Sequence, residues 1–523
     1  MAESDGSMVI HHPLYDHWLQ TWTAALDVYE GSGGFLSPER PYIMPHPREW
    51  LDHSIKSADP STGAVGVRPN PNPSNPSPKL IARRKIARYE NLASTIMDTV
   101  IGALFEKAPA RTFKTSEGNP TVMDWYEDVD GKGTTIDAFM RDSWLVAGVF
   151  SHAVLFLDKA PTAAGTKADQ ALPRLYRYTP LDVIDWLEDE DQKVIAVKLL
   201  EPAPRESFAQ RMTPDDLRVR VVDEEQWTLY DKDGKQLDQA AHGMGRLPIV
   251  FLYAKRRVLT PVIGKSVMGD PTLYIDLYNL ISEVRELLRN QTFGILNVPI
   301  GVHEGASVER EQNLLGAQSG TSNVLFSTQA AQYLSPEGTN VAVYHEHMDR
   351  LARMIYRLAS APYESDSKDA EAVGSLKLKR QDLQNTLSSY ANELQQADEE
   401  VLELVYRAID GPDRWEKSME RDEAAISYPD SFEDPDFEIV AKVAKEMIGM
   451  ELGDTAAKEI KKRTAFAYLP NISPEMKADI TKEIDALAVE TEADKRQALL
   501  EATAMRVGGG GPKPPRMPKP DAA

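Results

Sequence analysis

A predominantly helical α+β fold is what the sequence predicts, and three features predict it. Leu376, Leu383, Tyr390, Ala397 and Leu404 recur every seven residues, with Leu387, Leu394 and Val401 interleaved, which is the apolar stripe of one long helix. Between Leu175 and Val250 the hydrophobic period shortens in LYRYTPLDVIDWLED, KVIAVKLL, RVRVVDEEQWTLYD and LPIVFLY, which read as strands. Two further amphipathic helices, one with Leu273, Leu277, Leu280, Ile281, Val284, Leu287 and Leu288 and one with Met348, Leu351, Met354, Ile355 and Leu358, flank a segment of short strand-like pieces.

Near the N-terminus, His17 to Tyr29 carries Trp18, Leu19, Trp22, Ala25 and Leu26 at helical spacing and ends at the glycines of GSGG. Pro38 to Pro78, ending in RPNPNPSNPSP, reads as an extended arm, since such a run forms neither regular helix nor a central strand. Both a loose arm and one lying over a neighbouring subunit fit that composition. Helix resumes from Lys79 to Pro109, headed by the basic residues Lys79, Arg83, Arg84, Lys85 and Arg88, which are either a solvated face or contacts to phosphate or to an acidic neighbour. Asp137 to Val149 reads as helix, His152 to Leu157 as strand, and DKDGKQ as the turn between two strands. Asp270 is positioned to cap the next helix, with Pro271 at its first turn. FGILNVPIGV, GAQSGTSNVLF and AAQYLSPEGTNVAVY form a small β-containing excursion before helix returns near His345 and stops ahead of Pro362. The connection PYESDSKDAEAVG to the long helix exceeds what an αα-hairpin needs, and reads as either a plain surface loop or an exposed working element. After Ile409 come a mixed segment and three helical pieces, 436–450, 456–467 and 473–505, and GGGGPKPPRMPKPDAA is expected to be disordered.

A chain of 523 residues is long enough for two to four lobes, and its 42% hydrophobic content is that of a globular protein. There is no cysteine, which removes disulfides, thiolate nucleophiles and cysteine-ligated metals. No apolar run is long enough for a membrane helix, and MAESDGSMV lacks an export signal's basic start and apolar core, so no membrane partner is expected and the product is expected to stay where it is made. A formal charge of -22 argues against static wrapping of nucleic acid, although nucleic acid could slide past such a surface.

Chemistry-bearing motifs are mostly missing. Gly264, Lys265 and Ser266 end like a phosphate-binding loop, but Leu259 stands where that loop needs glycine. His345, Glu346 and His347 are adjacent and cannot all ligate from one helix face, His11 and His12 fall in an expected mobile tail, and GAQSG is not a nucleophile elbow. With 81 acidic residues no carboxylate pair stands out as acid and base. No enzymatic activity, cofactor or metal is expected.

YIMPHPREW, followed by IARRKIARYENLASTIMDTVIGALFEKAP with Arg84, Arg88, Tyr89, Asn91, Gly102, Phe105, Lys107 and Pro109, resembles the portal proteins of tailed bacteriophages, which carry a Y-L-P motif, R-x-x-x-A-x-Y-x-N and G-x-x-F-x-K-x-P; Ile43 and Met44 depart from the usual leucine. YTPLDVIDW and LYNLISEVRELLRNQTFGILNVPIG extend the likeness over about residues 15–410, and the order of parts is its most specific aspect. The resemblance implies a portal-like fold: 1–78 an N-terminal helix and arm, 79–262 the wing, 263–294 and 343–361 the stem helices, 295–342 the clip, 362–374 the tunnel loop, 375–410 the long wing helix, 411–507 a helical crown and 508–523 a disordered tail. It further implies a homo-oligomeric, usually dodecameric ring at the unique capsid vertex of the virion, assembled in the host cytoplasm. Double-stranded DNA would be packaged and ejected through that ring, with terminase, head–tail adaptor, major capsid and scaffolding proteins as partners. On that basis Tyr363, Glu364, Ser365, Asp366, Ser367, Lys368 and Asp369 would face DNA; Arg83, Arg84, Lys85 and Arg88, from the basic run itself, are the candidates for further basic contacts. The rival from another class is a soluble nucleotide- or metal-dependent enzyme with helical oligomerisation, which needs a pocket of convergent polar groups. A head-to-tail adaptor is a third reading, but such chains are generally far shorter.

Overall fold

The structure, a computed structural model, describes residues 9–37, 39–45, 49, 55–58, 65–68, 78–114, 119–159, 172–205, 207–208, 217–257, 260, 262–292, 295–299, 324–327, 332–334, 339–363, 373–429, 432, 462, 480–482 and 484. It divides into two units, Met1–Phe432 and Glu433–Ala523. In the second, the described residues Lys462, Ile480, Thr481, Lys482 and Ile484 are helical; the rest of the three helical pieces expected there, and the expected disordered tail, lie outside the described residues.

In the first unit, α1 (Pro13–Glu30) begins with proline at its first turn, and Nδ1 of His12 accepts from the Leu14 amide at 3.1 Å. His12 also donates its amide to Ile184 O and stacks on Trp186 at 4.0 Å, so it is fixed rather than part of a mobile tail. Gly31 ends the helix in the left-handed region that glycine adopts without a Cβ penalty. The chain just beyond Gly31 is pinned by side chains: the Asp27 carboxylate accepts from Gly34 N and Tyr42 Oη, and Phe35 stacks on Tyr89 at 3.9 Å and meets Tyr278 edge-on. Regular structure also occurs within the predicted arm, where β1 (Ile55–Ala58) and β2 (Val65–Arg68) pair as an antiparallel ribbon with no central strand.

The helix read from Lys79 to Pro109 is two helices, α2 (Pro78–Ile86) and α3 (Leu92–Leu104). Asn91 interrupts them because its Oδ1 caps α3 through Ser94 N while its Nδ2 donates to Tyr29 O, and Tyr89 Oη donates to Val28 O. These bonds to the exposed carbonyls at the end of α1 outweigh continuing the helix.

After β3 (Ala110–Thr112) and α4 (Pro120–Glu127), α5 (Ile136–Phe150) leads into β4 (His152–Asp158), which is buried on both faces. β4 is the middle strand of a three-stranded antiparallel sheet, between β11 (Ile249–Tyr253) and β5 (Arg174–Tyr178). Strands β6 (Val183–Glu188), β7 (Val194–Pro202), β8 (Leu217–Val222), β9 (Gln226–Asp231) and β10 (Gln236–Ala241) form a second sheet, each paired with the next, with DKDGKQ turning from β9 to β10 as its composition predicts.

The long helix is α8 (Val373–Asp410), about 57 Å at 1.5 Å per residue. It packs on α3, α5 and β11 and buries Leu387, Tyr390, Leu394, Ala397, Val401 and Leu404 of the heptad stripe. Arg111 ties it to β3 by pairing with Asp398, whose other neighbour is Tyr428 Oη at 3.0 Å. Beyond it, α9 (Trp415–Asp422) leads to β15 (Ala425–Ser427), which pairs with β3.

Two helices, α6 (Pro271–Thr292) and α7 (Thr339–Leu358), pack together, and the chain between them forms β12 (Ile295–Pro299), β13 (Val324–Ser327) and β14 (Gln332–Leu334) in one mixed sheet. Asp270 Oδ1 accepts from Thr272 N and caps α6 as predicted. NVAVY, read as strand-like, instead opens α7, with Val343 65% exposed. Among the described residues, no helix is long and apolar enough to cross a membrane.

Candidate functional site

The site grows from the C-terminal half of α7. Leu351, Ile355 and Ala359 are buried on one side, and at about 100° per residue His347, Arg350, Arg353 and Arg357 fall within an opposite arc of about 120°, all exposed. The helix ends in a Schellman motif: Ala361 N donates to Tyr356 O at 3.0 Å and Ser360 N to Arg357 O at 3.1 Å, with Ser360 at φ 54° and Pro362 just beyond. This geometry aims the chain away from the helix and begins the 362–374 connection.

Tyr363, its first residue after the proline, is held back on α7. Its hydroxyl donates to Asp349 Oδ1 at 2.7 Å and its ring meets Tyr356 at 5.1 Å between centroids. Asp349 also pairs with Arg353. The Tyr363 hydrogen bond, with Arg353 beside it, holds the Asp349 carboxyl below its ordinary range, and the same bond pushes the Tyr363 phenol up to about 12. Against this end of α7 lies a cleft of about 990 Å³, lined by His347, the three arginines, Met354, Tyr356 and Tyr363 on one side and by Asn385 and Thr386 of α8 on the other. Of the predicted loop contacts, Tyr363 is therefore placed; Glu364, Ser365, Asp366, Ser367, Lys368 and Asp369 lie outside the described residues.

The basic head of α2 divides. Arg83 does not reach the surface: its side chain and that of Glu49 are fully buried, joined by two bonds of 2.8 Å, and its Nη1 donates to Ser282 Oγ at 2.9 Å. A buried guanidinium so engaged cannot meet phosphate, and the expectation for Arg83 is corrected to a clasp between the arm, α2 and α6. Arg84 is half-buried, its guanidinium acidified chiefly by desolvation. Lys85 and Arg88 are exposed. The arginines of α7 were missed in the sequence, although their spacing of three and four residues on the polar side of an amphipathic helix was a readable signal.

Groups suggestive of catalysis have structural duties. Ser266 Oγ donates toward Gly148 O and Val149 O at 2.9 and 2.8 Å, so the GKS triplet clips a loop to the end of α5. Ser151 Oγ lies 3.1 Å from His152 Nδ1 like a nucleophile and its base, but both are buried, and burial pushes the His152 imidazole down to about 3. A neutral histidine sealed against Trp22 is a core residue. Among the described residues no cluster of histidine and carboxylate side chains could hold a metal ion.

No family model matches the chain, and no curated protein does. Among solved structures it is similar to a chain in the virion of a native gene transfer agent particle, with TM-score 0.37, 10% identity and coverage of 70% of this chain and 88% of that one. It is also similar to a chain in the neck of an empty gene transfer agent particle solved with C6 symmetry, with TM-score 0.40, 10% identity and coverage of 70% and 89%. Likeness of this extent carries no functional conclusion.

Proposed function

We propose that this chain is one subunit of a phage portal ring, the channel through which double-stranded DNA enters and leaves a capsid and the platform on which terminase and a tail adaptor dock. The observation that supports this reading is the order of parts: an α+β lobe, then α6 and α7 flanking a small sheet, then a polar connection into a 38-residue helix. In this reading the lobe and α8 are the wing, α6 and α7 the stem, the β12–β14 sheet the clip, residues 362–374 the loop facing DNA, and 411–507 the crown. Leu288, Val343 and Leu358, exposed by 42%, 65% and 54% on the two stem helices, are then contacts to neighbouring subunits. The chain performs no hydrolysis in this scheme; ATP is consumed by the terminase.

Shortening the 364–372 segment tests the assignment. The expected outcome is a protein that still assembles but packages or retains less DNA in an in-vitro packaging assay; normal packaging by the shortened protein would refute the loop's role.

A further inference from the structure

We infer that the cleft between the C-terminal half of α7 and α8 is a binding site for a phosphodiester backbone, with Arg350 and Arg357 as its principal charges. In a chain of formal charge -22, three arginines line one cleft wall and outnumber the carboxylates Glu346 and Asp349 on the same stretch of α7. Their availability differs. Arg353 is held by Asp349, whereas Arg350 and Arg357 make no ion pair among the described residues. Among the described residues no carboxylate lines the cleft, and Asn385 and Ser360 of its polar lining can donate hydrogen bonds to phosphate oxygens. The backbone beneath the arginines is firmly held: the helix side opposite them is locked by Leu351, Ile355 and Ala359, all buried.

The chemistry recognised is a row of phosphates rather than base edges, since long flexible guanidinium side chains on one exposed helix face give charge without a fixed hydrogen-bond code. Two arginines per subunit without an ion pair among the described residues make each contact weak, which suits a polymer that must keep moving. The identity of the polyanion as duplex DNA rests on the portal reading; the cleft and its charge do not. The basic contact expected at Arg83 thereby moves to a different helix.

The test is binding of a short fluorescein-labelled duplex to the full-length protein by anisotropy, over a series of salt concentrations. Each phosphate neutralised contributes close to one unit to the slope of log K against log salt, so Arg350→Gln with Arg357→Gln should flatten the slope by about two units. Asp349→Asn, which frees Arg353, should tighten binding and steepen the slope. Both residues changed in the double variant are exposed, and an unchanged thermal midpoint checks that the fold is kept. Duplex affinity and slope equal to the unmodified protein in the double variant would overturn the inference, as would poly-glutamate displacing the duplex from the unmodified protein but not from the variant, which would mark a generic polyanion surface. The two readings fail separately. Native mass spectrometry of the same proteins with scaffolding protein present reports whether a ring forms, so a ring with an unchanged slope removes this site alone, and an arginine-dependent slope without a ring removes the portal reading alone.

Discussion

Arg83 and Glu49 are separated by 34 residues, and no local pattern announces their pairing. Once buried together, each is costly to leave alone: Arg83→Ala should destabilise the first unit by about 3–5 kcal/mol, read from a denaturant midpoint, whereas Arg83→Met with Glu49→Gln should recover most of that loss. His152 gives a pH signature. Its imidazole titrates near 3 when folded, against the ordinary 6.5, so the unfolded chain binds the extra proton as pH falls below 6.5. Stability is therefore unaffected by this group above pH 6.5 and is lost by about 1.4 kcal/mol per pH unit between there and pH 3. His152→Asn should show a shallower decline of thermal midpoint with acidification than the parent; equal slopes would mean that His152 is not the buried base described.

Elements were legible where the determinants are local. The heptad stripe, which begins at Leu376, reached to within three residues of the start of α8 at Val373, and Asp270 with Pro271 placed the start of α6. The turn from β9 to β10 followed from DKDGKQ. Elements governed by distant partners were not legible: the break between α2 and α3 depends on Tyr89 and Asn91 reaching the carbonyls of Val28 and Tyr29, and the β-branched run NVAVY joined a helix because α6 offered a partner in Glu283, which accepts from Tyr344 at 3.2 Å. In the candidate site, the stop before Pro362 was readable and the serine at a left-handed position was not, because glycine or asparagine is the usual signal there. That serine supplies a test. Ser360→Gly should leave the helix end intact and raise stability by up to about 1 kcal/mol, since glycine takes φ 54° without a Cβ penalty. If α6 and α7 form the stem as proposed, Val343→Asp should block assembly while the isolated subunit keeps its circular dichroism and midpoint; unimpaired assembly would place the subunit contacts elsewhere.

For the whole molecule, length, acidity and the lack of cysteine bounded the class of protein, and the order of parts supports the portal reading proposed above. What net charge alone could not show was the distribution of charge, because the excess of acid masks a basic face only three helical turns long, although the spacing of Arg350, Arg353 and Arg357 was there to be read. In the proposed channel, charge sets how the cargo is treated, so the arginines of α7 would matter more to its working than the net value. Every assignment of wing, stem, clip and loop depends on a ring, and the ring is tested by the mass and symmetry of the purified full-length protein, from native mass spectrometry with class averages of stained particles. A closed ring of about twelve subunits around a hole that admits duplex DNA is the expected result. A monomer or dimer that persists in the presence of scaffolding protein, at concentrations where capsids assemble, would contradict it.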